Sequence, residues 1–366
     1  MAIGIIGLPQ SGKTTVFNAV TRGHADVAGF RAGGQQPNVG MVKVPDPRLQ
    51  VLSDIEHSKR IIQAEVEYID IPAAPEGLGT SRGIDGAYLN LLQRCDELLL
   101  VARAFDDPSV ASATGNIDPY AEVAALQDEL ALSDMALLER RAERLQQQMR
   151  SARTADRDAL QRESALLGPI REALDSGVPV REQSIPAEAK AILDNFQLLT
   201  AKPLVVLFNV GEDDVARIAE TEAQVAERIT RPGVATLAMA GKLEMELAQM
   251  APVDEAEFRE SMGAGESALD RMVQVSYNLL GLVSFLTTGE DETRAWTITK
   301  GTVALDAAAK IHTDIQRGFI RAEVVSYDDL TSAGSIAEAR KQGTFRQEGK
   351  QYVVKDGDVA NFLFNV

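Results

Sequence analysis

GLPQSGKTT, Gly7 to Thr15, decides how this chain is to be read. Gly7, Gly12, Lys13 and Thr14 fill the phosphate-loop pattern G-x-x-x-x-G-K-[ST]. An apolar run, Ile3 to Gly7, reads as a strand before it, and Thr14 to Thr21 opens a helix after it. The glycines let backbone N–H groups turn onto phosphate oxygens with no Cβ in the way. Gly7, Leu8, Pro9, Gln10, Ser11, Gly12, Lys13, Thr14 and Thr15 are therefore expected to line a nucleotide's phosphates. Lys13 supplies positive charge to the β- and γ-phosphates, where it also stabilises the charge of a transition state. The Thr14 hydroxyl suits Mg²⁺, and the helix points its N-terminal dipole at the phosphates.

Working outward, further apolar strands alternate with helical stretches. Val39–Asp46, Ala64–Ala73, Asp96–Phe105, Lys202–Val210 and Gly233–Gly241 read as strands. The pattern predicts an α/β fold with a mostly parallel sheet covered on both faces. The second of these strands reaches Asp70. Gly23–Gly40 is rich in Gly and polar residues and reads as a loop.

Residues 118–199 have a different composition. Val123, Leu126, Leu130 and Leu137, then Leu160, Leu167, Ile170 and Leu174, keep helical spacings on either side of a polar bend, Arg150–Ala159. They predict an antiparallel coiled-coil hairpin inserted between the third and fourth strands. From about Gly281 the reading is of short strands around one helix capped by Thr302, a small β-grasp domain. The expected organisation is a nucleotide-binding domain over 1–117 and 200–280, a hairpin over 118–199 and a β-grasp domain over 281–366.

The apolar strand Lys202–Val210 ends in NVGE, Asn209 to Glu212. GTPases carry N-K-x-D at this place, where Asp accepts hydrogen bonds from guanine N1–H and the 2-amino group. Here the acid is Glu212 and Val210 replaces the lysine. Adenine has neither donor, so the change weakens guanine selectivity and admits adenine. Asn209, Val210 and Glu212 are the candidate base contacts.

Composition narrows the setting. The chain has 366 residues, 45% hydrophobic and 25% charged, as in ordinary globular proteins. No stretch of 18 or more apolar residues is present, so no membrane partner is expected. No secretory signal opens the sequence, and one cysteine, Cys95, allows no internal disulfide, so a cytoplasmic location is expected. A net charge of −17 argues against binding along naked DNA, and no sequence-specific DNA contact is expected. It leaves room for a local basic patch on RNA. The stretch ERRAERLQQQMRSARTADR, Glu139 to Arg157, is either that patch or a solvated helix face. His24, His57 and His312 are scattered without metal-ligand spacing, Cys95 reads as a packed thiol, and Asp106-Asp107 reads as a solvated loop.

At this point the chain resembles the YchF/Obg-like ATPase family, a branch of the Obg-related, TRAFAC-class P-loop NTPases. GLPQSGKTTVFNAV, PNVGMVKVPDPRL (Pro37–Leu49), NVGE, TRAWTI, KIHTDIQRGFIRAEVVSYDDL and EGKQYVVKDGDVANFLFNV carry the resemblance, which spans essentially the whole chain. It implies a P-loop G domain, a coiled-coil insertion and a C-terminal TGS domain of β-grasp fold. It further implies ATP preferred over GTP, slow Mg²⁺-dependent hydrolysis, and association with the ribosome or ribosomal RNA. The chain departs from the family at three places. Gln10-Ser11 stands for Asn-Val. Gly34 stands where a metal-binding Thr is usual and cannot coordinate a metal. Ala73 replaces a glycine whose amide senses the γ-phosphate, and Ala74 offers no side chain to orient water. These changes touch the switch more than the binding, and the resemblance implies that Asp70 remains available to hold Mg²⁺ through water. The chemistry therefore reads in two ways: a slow ATPase, or a nucleotide-binding module without significant hydrolysis. A third reading, an Obg-type GTPase, is opposed by Glu212.

Overall fold

The two most apolar runs in the chain become its most completely buried strands, ELLLVARA and LVVLFNV. The computed structural model describes residues 1–23, 37–72, 84, 86–107, 117–263 and 265–365. His24, Gly34, Ala73 and Ala74 lie outside them. In chain order, β1 (Ala2–Ile6) leads into α1 (Lys13–Thr21), followed by β2 (Asn38–Lys43), α2 (Arg48–Glu56), β3 (Ile61–Ile62), β4 (Glu65–Asp70), α3 (Gly86–Arg94) and β5 (Glu97–Ala104). The hairpin helices α4 (Pro119–Ser151) and α5 (Thr154–Asp175) come next, then α6 (Ala187–Leu193). β6 (Leu204–Val210), α7 (Ile218–Ile229), β7 (Val234–Met239), α8 (Gly241–Leu247), α9 (Pro252–Met262) and α10 (Ala268–Leu279) follow. The last part holds β8 (Leu282–Thr287), β9 (Thr293–Thr299), α11 (Ala304–Ile311), α12 (Thr313–Arg317), β10 (Phe319–Ser326), α13 (Tyr327–Ala333), α14 (Ile336–Gln342), β11 (Arg346–Glu348) and β12 (Asp358–Phe364).

The chain divides into two compact units, Met1–Met41 with Glu67–Met272, and Val42–Val66 with Val273–Val366. The first unit is built on a sheet of order β2-β4-β1-β5-β6-β7. β1 pairs in parallel with β4 on one side and β5 on the other. The strand order therefore reverses at β1, and the crevice beyond its carboxyl end is where such sheets hold ligands. β5, β6 and β7 continue the parallel pairing. Burial on both faces explains why these strands read as unbroken apolar runs.

The inserted hairpin forms with a shorter bend than its polar sequence suggested. Ala152 and Arg153 alone separate α4 from α5, and Asp118 caps α4 by accepting the Ala121 N–H at 3.0 Å. The apolar stripe of α4 changes partner along its length. Val123, Leu126 and Leu130 join the core beside the sheet. Leu138 and Leu145 pack instead with Leu167, Ile170 and Leu174 of α5. Arg141 meets Glu163 across the hairpin in a two-pronged pair, at 2.7 Å for each bond.

Between these two cores sits Asp134, 0% exposed. Its carboxylate accepts the Leu199 N–H at 2.9 Å, the Thr200 N–H at 2.7 Å and the Thr200 hydroxyl at 2.6 Å. Burial pushes its carboxyl up, and these bonds work against that. The chain of Leu199–Ala201 runs directly into β6, so Asp134 fastens the hairpin to the sheet.

The second unit has a mixed sheet of order β11-β10-β12-β8-β9-β3. β8 and β9 are antiparallel, β12 joins β8 in parallel, and β3 joins β9 in parallel. Ala304, Ala307 and Ala308 of α11 pack with Phe285, Ile298, Phe319 and Phe362 of the sheet. Three local expectations are corrected here. Thr302 does not cap the helix: its hydroxyl donates to Thr299 O at 2.6 Å, and Tyr352 O takes the first helical N–H, that of Ala304, at 2.7 Å. The single helix expected there is broken at His312, which is extended and accepts the Asp314 N–H on Nδ1 at 3.2 Å, capping α12. The terminal stretch QYVVKDGDVANFLFNV reads as two strands split at Asp356-Gly357, and of it only Asp358–Phe364 is a strand among the described residues.

Removing the Asp134 carboxylate leaves three buried donors without an acceptor. We expect Asp134→Ala to cost about 3 kcal/mol and Asp134→Asn about half of that. The denaturant midpoint for unfolding of the first unit is the measurement.

Candidate functional site

The phosphate loop leaves β1 and turns back on itself. Ser11 N–H donates to Leu8 O at 3.2 Å, and Val16 N–H to Gly12 O at 2.9 Å, which starts α1. Two residues take left-handed backbone, Gln10 at φ 66° and Gly12 at φ 88°. Space requires glycine at both ends, and at Gly12 conformation does too. A Cβ on Gly12 would lie 2.2 Å from Asn209 Nδ2, and one on Gly7 would lie 2.5 Å from Val101 O. Leu8 packs against the sheet core, whereas Gln10 is exposed. Pro9, Thr14 and Thr15 are half-buried, and the Ser11 hydroxyl is buried with no hydrogen-bond partner among the described residues.

Lys13 is buried and lies across the loop, donating to Gly7 O at 3.0 Å and Leu8 O at 3.1 Å. Burial pushes its ammonium down to about 8, against the pull of the Asp70 and Glu122 carboxylates. The loop thus holds a poorly solvated cation beside its own amides, a site that an anion would complete.

Asp70, at the end of β4, is brought to the same place. Its Oδ2 accepts the Thr14 hydroxyl at 3.0 Å and the Asn38 side-chain N–H at 3.1 Å. A hydroxyl and a carboxylate this close offer one hard oxygen to a metal and a second to a water bound on it. Among the described residues no cluster of three or more His, Cys, Asp or Glu side chains could hold a metal. Two protein oxygens fit Mg²⁺, which keeps waters and phosphate oxygens for its other positions.

Asn209 is 4% exposed and works as a brace. Its Nδ2 donates to Ser11 O at 3.0 Å, and its Oδ1 accepts the Gly241 N–H at 3.0 Å. It ties β6, the phosphate loop and the start of α8 together. Val210 is buried in the sheet core. Glu212 is half exposed and pairs with Lys242 at 3.1 Å. The structure therefore gathers Gly7–Thr15, Asp70 and Asn209 into one site and leaves Glu212 on its surface.

Three residues at this site escaped the reading of the sequence. Asn38 holds Asp70, Gly241 admits the Asn209 carbonyl, and Glu122 accepts the Arg103 N–H at 3.0 Å, within electrostatic reach of Lys13. Asn38 sits within the PNVG stretch and could have been singled out. Glu122 lies in the first turn of a hairpin helix and carries no local signal. The other candidates fall elsewhere. Cys95 is buried with its thiol pushed up to about 11 by burial, which leaves it protonated and inert. His57 ends α2 in left-handed backbone, and His312 caps α12.

The family model MMR_HSR1, described as "50S ribosome-binding GTPase", matches residues 2–157. The model YchF-GTPase_C, described as "Protein of unknown function (DUF933)", matches residues 282–365. The "Ribosome-binding ATPase YchF" of Bacillus subtilis is 38% identical over 100% of both chains. Its counterpart of the same name in Escherichia coli O157:H7 is 35% identical over 99% of each. The structure of the Schizosaccharomyces pombe YchF GTPase superposes with a TM-score of 0.85 at 29% identity, covering 99% of this chain and 97% of that one. Full-length identity at this level, together with the phosphate loop and the C-terminal match, means that the chain belongs to the YchF family.

Proposed function

We propose that this chain is a cytoplasmic, ribosome-associated, Mg²⁺-dependent ATPase of slow turnover, acting in translation. The observation that carries the proposal is the Lys13–Thr14–Asp70 constellation, which joins a phosphate cation to two metal-suited oxygens. Curated relatives with the printed name "Ribosome-binding ATPase" support both halves of it. Residues 1–117 and 200–280 would bind the nucleotide, 118–199 form the arm, and 281–366 the TGS domain. No helix among the described residues is long and apolar enough to cross a membrane.

In this reading Lys13 and the loop amides neutralise the phosphates, and the N-terminus of α1 adds its dipole. Thr14 and Asp70 would hold Mg²⁺, the hydroxyl directly and the carboxylate through water. When bound, Mg²⁺ supplies charge neutralisation at the phosphate oxygens. Catalysis rests on fixed charge and amide donors rather than on a side-chain base. Asn209 and Glu212 meet the base at the end of β6, and the missing aspartate makes adenine the better fit, with GTP as the weaker nucleotide. Gly34 and Ala73 favour a second reading, a binding module that does not hydrolyse.

Titration with fluorescent ATP and GTP in Mg²⁺ tests the first reading. ATP should bind several-fold tighter, and Lys13→Ala should lose at least about tenfold. Equal or tighter GTP binding overturns the adenine preference. Turnover with and without ribosomes separates the ATPase from the module.

The depressed Lys13 gives a pH signature. Bound phosphates favour its charged form, so its pKa is higher in the complex than in the free protein, where it is about 8. Binding therefore takes up a proton once the free lysine is neutral. Affinity for ADP should hold steady from pH 7 towards 8, then fall as pH rises further, by up to about tenfold per pH unit. Calorimetry in buffers of different ionisation enthalpy reads both the affinity and the proton uptake.

The arm supplies the proposed ribosome contact. Arg144, Arg150 and Arg153 are exposed around the bend, in a protein of net charge −17. Reversing all three to Glu should weaken ribosome co-sedimentation about tenfold or more and flatten its salt dependence. ATP binding should not change.

A further inference from the structure

Glu122 occupies the first turn of α4, the helix that becomes the arm. β1 pairs with β5 only as far as Ile6 opposite Leu100, because beyond it the chain turns off into the phosphate loop. β5 runs on to Ala104, paired only with β6, where Arg103 stands opposite Asn209. The Glu122 carboxylate fills the vacated side, its Oε2 accepting the Arg103 N–H at 3.0 Å. The Arg103 guanidinium turns to Phe105, donating to its carbonyl at 3.2 Å and lying 4.8 Å from its ring centre. Glu122 is thus held by backbone, in a half-buried position where burial pushes its carboxyl up. The charged groups that act on it are Arg103 of β5, Asp118 at the cap of α4 and Lys13 of α1. The arm therefore begins with a carboxylate anchored at the end of β5 and within electrostatic reach of the phosphate-loop cation. α4 then runs unbroken for 33 residues, through the Asp134 anchorage to the arginines at the bend.

We propose that Glu122 is the residue through which the charge of a bound nucleotide acts on the arm. Phosphates arriving at Lys13 repel its carboxylate, weaken its hold on the Arg103 N–H and shift the first turn of α4. The proposal rests on the nucleotide-binding reading above. It makes Glu122 an electrostatic opponent of phosphate binding, whereas a plain structural brace would be indifferent to the ligand's charge.

Glu122→Gln separates the two. The amide oxygen still accepts from Arg103, and only the charge is lost. Affinities for ATP, ADP and AMP are measured for wild type and variant, with hydrogen exchange of the Arg103 amide in each state. We expect the variant to bind tighter, by about tenfold for ATP, less for ADP and least for AMP. Saturating ATP should speed exchange at Arg103 in wild type and leave the variant unchanged. Glu122→Ala, which also deletes the hydrogen bond, should likewise tighten ATP. Unchanged affinities in Glu122→Gln with weaker binding in Glu122→Ala would mean a brace and overturn the proposal. So would an Arg103 amide insensitive to ATP in wild type. If wild type binds no nucleotide at all, the nucleotide reading itself fails and takes this proposal with it.

Discussion

One buried amide holds the site in register. Asn209 donates to the Ser11 carbonyl and accepts from the Gly241 amide, so the phosphate loop, β6 and α8 share a single fixed point. A buried polar group that loses its partner costs more than the bond is worth, which makes this arrangement all-or-none. The constraint propagates to its neighbours. Gly12 and Gly241 are both too close to the Asn209 side chain to carry a Cβ. Lys13 and Thr14 follow Gly12 directly, so their positions depend on a residue almost two hundred positions away. Asn209 thus has a mechanical part in the phosphate site as well as the base-facing part proposed for it.

Much of the first unit was legible because its physics is local or strongly periodic. β5 and β6 are central and covered on both faces, so their sequences are plain apolar runs. The phosphate loop declares itself through backbone needs that only glycine meets. The hairpin declares itself through spacing, but its bend was read as ten polar residues when two suffice. Polar residues on an exposed helical turn look like loop residues, and only packing against the facing helix distinguishes them. The second unit was harder. β8 is half-buried, and its pattern is diluted by polar positions. α13 and α14 are short, yet both carry a readable start, since Ser326 and Ser335 accept the Asp329 and Glu338 N–H groups at their N-termini.

At the site, the residues named by motif lie together, and the residues missed are those whose importance comes from the fold. Glu122 is 19 residues from Arg103 in the chain and meets it only because α4 packs beside the end of β5. Asn38 matters because β2 brings it to Asp70. Neither role can be read from spacing, because the partner's position is set by the sheet. Glu212 is the reverse case: its identity was informative in sequence, and its side chain is now seen paired on the surface with Lys242.

The path of the chain between the two units bears on how the protein can be made. Val42–Val66 leaves the first unit, joins the second and returns before β4 is complete. Lys59 pairs with Asp291, 232 residues further along. During synthesis from the N-terminus, β3 has no β9 to pair with until nearly the whole chain has emerged. An early segment must wait, unpaired, through the folding of the parallel sheet and the hairpin. Closure of the second unit's sheet then has to wait for β8 to β12, because every other strand of that sheet lies after residue 281.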